Sequence, residues 1–422
     1  MQLVLGCIAD DITGASDLGL MLAANGLPTT LVLGVPESSS KAASQAIVVA
    51  LKIRTADKQK AVDESTAAAH WLRSAGARQL YYKYCSTFDS TANGNIGPVT
   101  DALLALTGAD ITVLLPAFPE NGRTVRGGKL FVNGVPLSES PMRNHPLTPM
   151  KESSLIRLMD AQTATGNTGL IDIDTVRKGS AAVRDALQKE RDAGRRYVAI
   201  DTVEDEDFAA IADVVSRLPL VTGGSGIAAA LPAAYREQGV IDARVESAAL
   251  PALPGHAAIL AGSCSEATRR QIAAYASDAV AIVVDPLSLH QGETHADALA
   301  NEAVDAVAEQ DVLVYSSTAP EDLKTVQAAL GTMASAAIVE GVFAHIAKRL
   351  SDSGVRKFVV AGGETSGAVA HALGVDELSV SQQIDPGVPW MVSLGNDPVC
   401  LAFKSGNFGG PDFFSRALGM LP

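Results

Sequence analysis

Aromatic side chains are scarce in this sequence, 5% of 422 residues, and there are four cysteines, Cys7, Cys85, Cys264 and Cys400. Cysteines so scattered give neither a disulfide framework nor a zinc knuckle, so the expectation is core packing in a reducing, cytoplasmic compartment. Positive charge is also in deficit: 33 Lys and Arg stand against 47 Asp and Glu, a formal charge of -14. That balance opposes nucleic acid and anionic lipid surfaces at long range, so neither is an expected partner. No apolar run is long enough to span a bilayer. The opening run 1–9 has no preceding positive charge and meets Asp10 and Asp11 too early for a secretory signal. A G-x-x-x-x-G-K-[ST] loop is missing as well; the nearest string, Gly127-Gly128-Lys129-Leu130, lacks the leading spacing and the hydroxyl. Any phosphate must therefore be held by local backbone amides, a few placed cations or a divalent metal.

What is present is a rhythm. Apolar runs at 3–9, 29–33, 46–51, 80–84 and 111–115 read as buried strands, separated by helical patterns such as 63–75 and 98–106. Further runs at 169–172, 197–201 and 218–222 continue it. The segment 249–256, with Pro251, Pro254 and Gly255, reads as a linker, and runs at 257–261, 279–285, 312–316, 358–361, 390–394 and 399–404 form a second series. The expected fold class is α/β: two domains, 1–248 and 257–422, each with a mostly parallel sheet flanked by helices. Residues 122–149 break the rhythm and predict a lid or hairpin, with its turn at Asn133-Gly134.

The first run ends in Ala9-Asp10-Asp11-Ile12-Thr13-Gly14-Ala15-Ser16-Asp17. This gathers three carboxylates at the carboxyl end of a parallel strand, where ligands bind. N-capping by Asp11 or Thr13 accounts for one acid of the three; the rest suit a metal, substrate hydroxyls or a base of raised pKa. An aspartyl-phosphatase reading loses its nucleophile, because Ala9 stands at that position. Lys83 sits within a strand followed by Cys85-Ser86-Thr87-Phe88-Asp89-Ser90, and Pro119-Glu120-Asn121-Gly122-Arg123 follows another strand. Arg54, Lys83 and Arg123 all belong to strand ends of one sheet, as a clamp for an anionic polyol requires. Lys83 is equally explained by a structural ion pair.

Thr222-Gly223-Gly224-Ser225-Gly226-Ile227-Ala228-Ala229 matches a dinucleotide fingerprint and raises the alternative of a nicotinamide-dependent sugar-acid oxidoreductase. Pro232 interrupts the following helix and no second strand ends in an acid, so a close-packed turn fits better. In the second series three glycine- and hydroxyl-rich turns follow strands: Gly262-Ser263-Cys264-Ser265, Gly362-Gly363-Glu364-Thr365-Ser366-Gly367 and Ser405-Gly406-Asn407. Amides, hydroxyls and helix dipoles there suit a triphosphate, with Lys404 as a point charge.

These motifs, with Ser138-Glu139-Ser140 and His145-Pro146-Leu147-Thr148-Pro149-Met150, resemble the four-carbon acid sugar kinase family and its 3-oxo-tetronate kinase branch, over nearly the whole chain. The resemblance implies an N-terminal sugar-acid domain, a C-terminal ATP domain, and transfer of the γ-phosphoryl group to a terminal hydroxyl with Mg²⁺. It implies ATP contacts at Ser263, Gly362, Gly363, Glu364, Thr365 and Gly406. The sugar acid is expected at Arg54, Lys83, Asp89, Ser90, Asn121 and Arg123, with one of Asp10, Asp11 and Asp17 as proton acceptor and Asp11 the first choice. Threonate or erythronate kinase is the near alternative. A homo-oligomer is compatible with the sequence.

Overall fold

The computed structural model describes residues 2–36, 44–145, 148–242, 244–316 and 320–422. Pro146 and Leu147 of the His145–Met150 motif lie outside these. The chain divides into two compact units, Met1–Glu246 and Ser247–Pro422. Among the described residues no single helix is long and apolar enough to cross a membrane.

In chain order, the strands of the first unit are β1 Leu5–Ala9, β2 Thr29–Leu33, β3 Ala46–Ala50, β4 Gln79–Lys83, β5 Thr112–Leu115, β6 Arg123–Arg126, β7 Lys129–Val132, β8 Val135–Pro136, β9 Gly169–Ile171, β10 Tyr197–Ile200 and β11 Leu220–Gly223. Eight of them run parallel in the order β2-β3-β1-β4-β11-β5-β10-β9. β1 and β3 are buried at every position, which is why they read as unbroken apolar runs rather than as alternation. From β1 the chain moves outward to β2 and returns to β3, whereas from β4 it moves the other way. The order thus reverses between β1 and β4, and their carboxyl ends open a crevice of the kind that binds ligands. The helix Ile12–Ala24 leaves β1 directly into this crevice, and its residues from Thr13 to Ala23 are all buried.

β6, β7 and β8 form a separate antiparallel sheet. Its turns are Gly127-Gly128, with φ of 59° and 66°, and Asn133-Gly134, with φ of 50° and 78°, the mirror-image geometry that tight hairpins favour. The hairpin at Asn133-Gly134 is where the sequence places it, but this sheet is not a free lid. Val125 exchanges backbone hydrogen bonds with Thr202 at 2.8 and 2.9 Å. The buried Asp201 carboxylate accepts from Gly127 N at 2.7 Å and Gly128 N at 2.9 Å.

The second unit contains β12 Ala258–Ala261, β13 Val280–Val283, β14 Val312–Tyr315, β15 Lys357–Ala361, β16 Glu377–Asp385, β17 Val388–Ser393 and β18 Cys400–Lys404. Their order is β13-β14-β12-β15-β18-β17-β16, with the first five mutually parallel and β17 antiparallel to both neighbours. The sequence misses β16. Register shifts between Val380 and Asp385 break the period-2 pattern by which a strand is recognised. The core of this unit closes around Trp390, which is fully buried and donates its indole N–H to Ala417 O at 2.9 Å.

Candidate functional site

Strand register brings Ala9 beside both Ala50 and Lys83, so the residues after β1, after β3 and at the end of β4 share one edge. Arg54 lies edge-on to the Asp10 carboxylate, Nε to Oδ2 and Nη2 to Oδ1 both at 2.9 Å. Its Nη2 also reaches Asp11 Oδ1 at 3.1 Å, and Nη1 stands 4.0 Å from Asp89 Oδ2. One guanidinium thus gathers three of the predicted acids. Asp10 is 3% exposed; burial lifts its pKa and the Arg54 charge opposes that rise. With both oxygens occupied, Asp10 is the fixed partner of an ion pair, and a pair this deep is costly to break from one side.

Asp11 is the N-cap of the Ile12–Ala24 helix. Its Oδ1 accepts from Gly14 N at 2.8 Å and its Oδ2 from the Thr13 hydroxyl at 3.1 Å. Burial pushes its pKa up, but Arg54, Lys83, the Gly14 amide and the Thr13 hydroxyl outweigh this and hold it below the usual carboxylate range. The first choice of proton acceptor is therefore a weak base with both oxygens engaged.

Asp17 is different. It is 6% exposed and its Oδ1 is buried with no hydrogen-bond partner. Burial raises its pKa to about 6, against the pull of the Lys83 charge and the neighbouring Ser225 hydroxyl; Asp11 and Glu120 add to the rise. Lys83, 4% exposed, projects over the first turn of the helix. It lies within the electrostatic field of Asp10, Asp11 and Asp17.

The remaining predicted residues are less tightly gathered. Asp89 accepts from the Thr87 hydroxyl at 2.6 Å. Ser90 accepts from Gln162 Nε2 at 2.9 Å, and Gln162 also binds Thr91 O at 2.7 Å and Gly97 N at 2.8 Å. Asn121 and Arg123 follow β5, three places along the sheet from β1. The Asn121 carbonyl accepts from Arg123 Nη1, and Arg123 Nε is buried without a hydrogen-bond partner. Sequence reasoning missed Gln162, for which no local signal exists. It also gave Asn95 no role of its own, because that side chain's partners, Ile53 O and Ala56 O, lie 42 and 39 positions away.

The turn after β11 is packing. Gly224 N donates to Leu115 O at 2.9 Å, and the Tyr81 hydroxyl donates to Gly224 O. Gly226–Ala229 is a 3-10 turn rather than the start of a long helix, which removes the dinucleotide geometry.

In the second unit, register aligns Ala261 with Ala361 and Ala361 with Lys404, so the three glycine- and hydroxyl-rich turns leave one edge together. Gly262 N and Ser263 N both donate to Ala361 O, at 3.0 and 3.1 Å, and Gly362 N donates to Lys404 O at 2.9 Å. A methyl group at position 406 would stand 2.4 Å from Ser263 Oγ, and one at 262 would stand 2.1 Å from Thr365 Oγ1. The turns therefore converge on Ser263. Gly362, with φ of 127°, leads into the helix Gly363–Ala372 with no side-chain cap, and Glu364 stands in its first turn. Such an N-terminus presents backbone donors and the positive end of the dipole.

Lys404 differs from the sequence reading. It is fully buried, with Nζ 3.0 Å from each of Thr268 Oγ1, Ser405 O and Gly406 O. Burial lowers its pKa to about 7. Its Nζ is surrounded by acceptors within the protein, so it pins the third turn.

Residues 5–231 match the family model described as a sugar-binding N-terminal domain, and residues 258–414 match a nucleotide-binding C-terminal domain. A curated relative from Burkholderia multivorans, named 3-oxo-tetronate kinase, is 49% identical over 418 residues, covering 99% of this chain and 97% of the relative. A solved Haemophilus influenzae protein aligns with a TM-score of 0.82 at 41% identity, covering 99% of this chain and 100% of its own. A solved Salmonella typhimurium structure aligns with a TM-score of 0.90 at 40% identity over 100% of both chains. The two domain models in this order and the full-length relatives agree: the chain belongs to the four-carbon acid sugar kinase family.

Proposed function

We propose that the protein transfers the γ-phosphoryl group of ATP to the C4 hydroxyl of a 3-oxo-tetronate, giving the 4-phosphate and ADP. The observation that carries the nucleotide half is the convergence of three strand-end turns on Ser263. The full-length relatives named 3-oxo-tetronate kinase supply the substrate class.

In this reading Ser263, Gly362, Gly363, Glu364, Thr365 and Gly406 line the phosphate site. Asp10, Arg54, Asp11 and Asp89 form the fixed frame against which the sugar acid lies, with Ser90 and Asn121 offering polar contacts. Lys83 and Arg123 face the substrate carboxylate and the incoming phosphoryl charge. Asp17 accepts the C4 hydroxyl proton as that oxygen bonds to the γ-phosphorus and the bond to ADP breaks. A carboxyl with a pKa of about 6 is ionised at neutral pH and is a stronger base than an ordinary aspartate. Among the described residues no group of three or more His, Cys, Asp or Glu is placed to hold a metal. Mg²⁺ would ride on the nucleotide phosphates and supply neutralisation of their charge there. The free state of all four cysteines suits the reducing cytoplasm.

The test is ADP release from ATP and Mg²⁺ with a panel of 3-oxo-tetronates, threonate and erythronate. Turnover on the oxo acids is the expected result. Turnover confined to threonate or erythronate would move the substrate to the near alternative, and silence across the panel would overturn the kinase reading.

A further inference from the structure

We propose that Asn95 is a positioning residue that sets Arg54 against the acid cluster, and so fixes the frame on which the sugar acid lies. Asn95 stands at the N-cap of the helix Ile96–Thr107, yet its side chain makes no capping hydrogen bond. Asparagine is among the preferred residues at that position because it can cap, and losing a cap normally weakens a helix. Here the amide is diverted: Nδ2 donates to Ile53 O at 2.8 Å and to Ala56 O at 2.9 Å, and lies 3.5 Å from Arg54 O. The bonded carbonyls bracket Arg54 in sequence. On the other side of the same loop, Ile53 N and Arg54 N donate to Asp10 O at 3.1 and 3.3 Å. The Arg54 backbone is therefore gripped from two directions, by the end of β1 and by Asn95.

This grip matters because Arg54 carries a heavy electrostatic task on a loop rather than on a regular element. Its guanidinium must meet Asp10 with two bonds and Asp11 with a third. Bidentate pairing has narrow angular tolerance. Asn95 is 7% exposed, so water competes poorly for the carbonyls it holds. The inference rests on the sugar-acid reading of this site, and its tests separate the two.

Asn95→Ser is the informative variant. Serine caps helices about as well as asparagine but is too short to span the two carbonyls. The expected result is a KM for the sugar acid raised about 10-fold or more, an unchanged KM for ATP, and a melting temperature within about 3 °C of wild type. Asn95→Asp, which keeps the length and cannot donate, is expected to shift the same KM. In an Arg54→Lys background, Asn95→Ser is expected to add little, because the two changes disrupt one fork. Wild-type kinetics on the sugar acid, or equal losses for both substrates, would overturn the inference, as would full additivity with Arg54→Lys. A crystal structure of Asn95→Ser decides independently of turnover: Arg54 displaced from Asp10 supports the proposal, and an unmoved pair overturns it even if the wild-type enzyme proves to have another substrate.

Discussion

The amine of Lys83 occupies the space that a side chain at position 14 would need: a methyl group on Gly14 would stand 2.3 Å from Lys83 Nζ and 2.3 Å from Asp11 Oδ1. The glycine is thus required by neighbours rather than by its own backbone, which is helical. In an unobstructed helix alanine is better than glycine by about 1 kcal/mol. Gly14→Ala is expected to do the reverse here, lowering the melting temperature and reducing turnover by at least about 10-fold, because Lys83 and Asp11 must both move. Calorimetry with steady-state kinetics checks this. A stabilised and fully active Gly14→Ala protein would show that the first turn has room that the geometry denies.

Much of this arrangement is legible from strand ends. Apolar runs followed by Asp10-Asp11, Arg54 and Lys83 reveal a parallel sheet and its carboxyl edge, because buried strands and edge loops differ sharply in residue type. What stays hidden is which polar atom is already occupied. Asp11 and Asp17 look alike in the sequence, yet one spends both oxygens locally and the other keeps Oδ1 unpartnered. Lys404 looks like a phosphate ligand until its depth and its three acceptors are known. Asn95 meets carbonyls 39 to 42 positions away, and no local pattern encodes such a contact. The strand β16 escapes for another reason, since its irregular pairing removes the alternation.

Asp17 links activity to stability with opposite signs. Its folded pKa, about 6, lies above its unfolded value. Its contribution to stability is therefore fully present below the unfolded pKa and is lost as pH rises through about 6, a change of about 3 kcal/mol. As a base it must be ionised, so kcat/KM is expected to fall on the acid side with a midpoint near that pKa. Asp17→Asn is expected to lose about 10²- to 10⁴-fold in kcat. It should also be more stable than wild type at pH 7.5, and the difference should vanish toward pH 4. Denaturant melts across this range and a pH–rate profile read the two effects separately. An Asp17→Asn protein with near-normal kcat would return the proton to another group.

Gly406 and Ser263 permit a sharper test of the nucleotide site, because their closeness separates packing from binding. Gly406→Ala would place a methyl group 2.4 Å from Ser263 Oγ. It is expected to raise KM for ATP about 10-fold or more while leaving KM for the sugar acid unchanged. Ser263→Ala removes the oxygen with which that methyl group collides, so the double variant should recover much of the lost melting temperature. If Ser263 also donates to a phosphate, the double variant stays weak for ATP although its fold is restored. Recovery of both stability and ATP affinity would instead assign Ser263 a packing role and leave phosphate binding to the backbone amides of the Gly362–Thr365 turn.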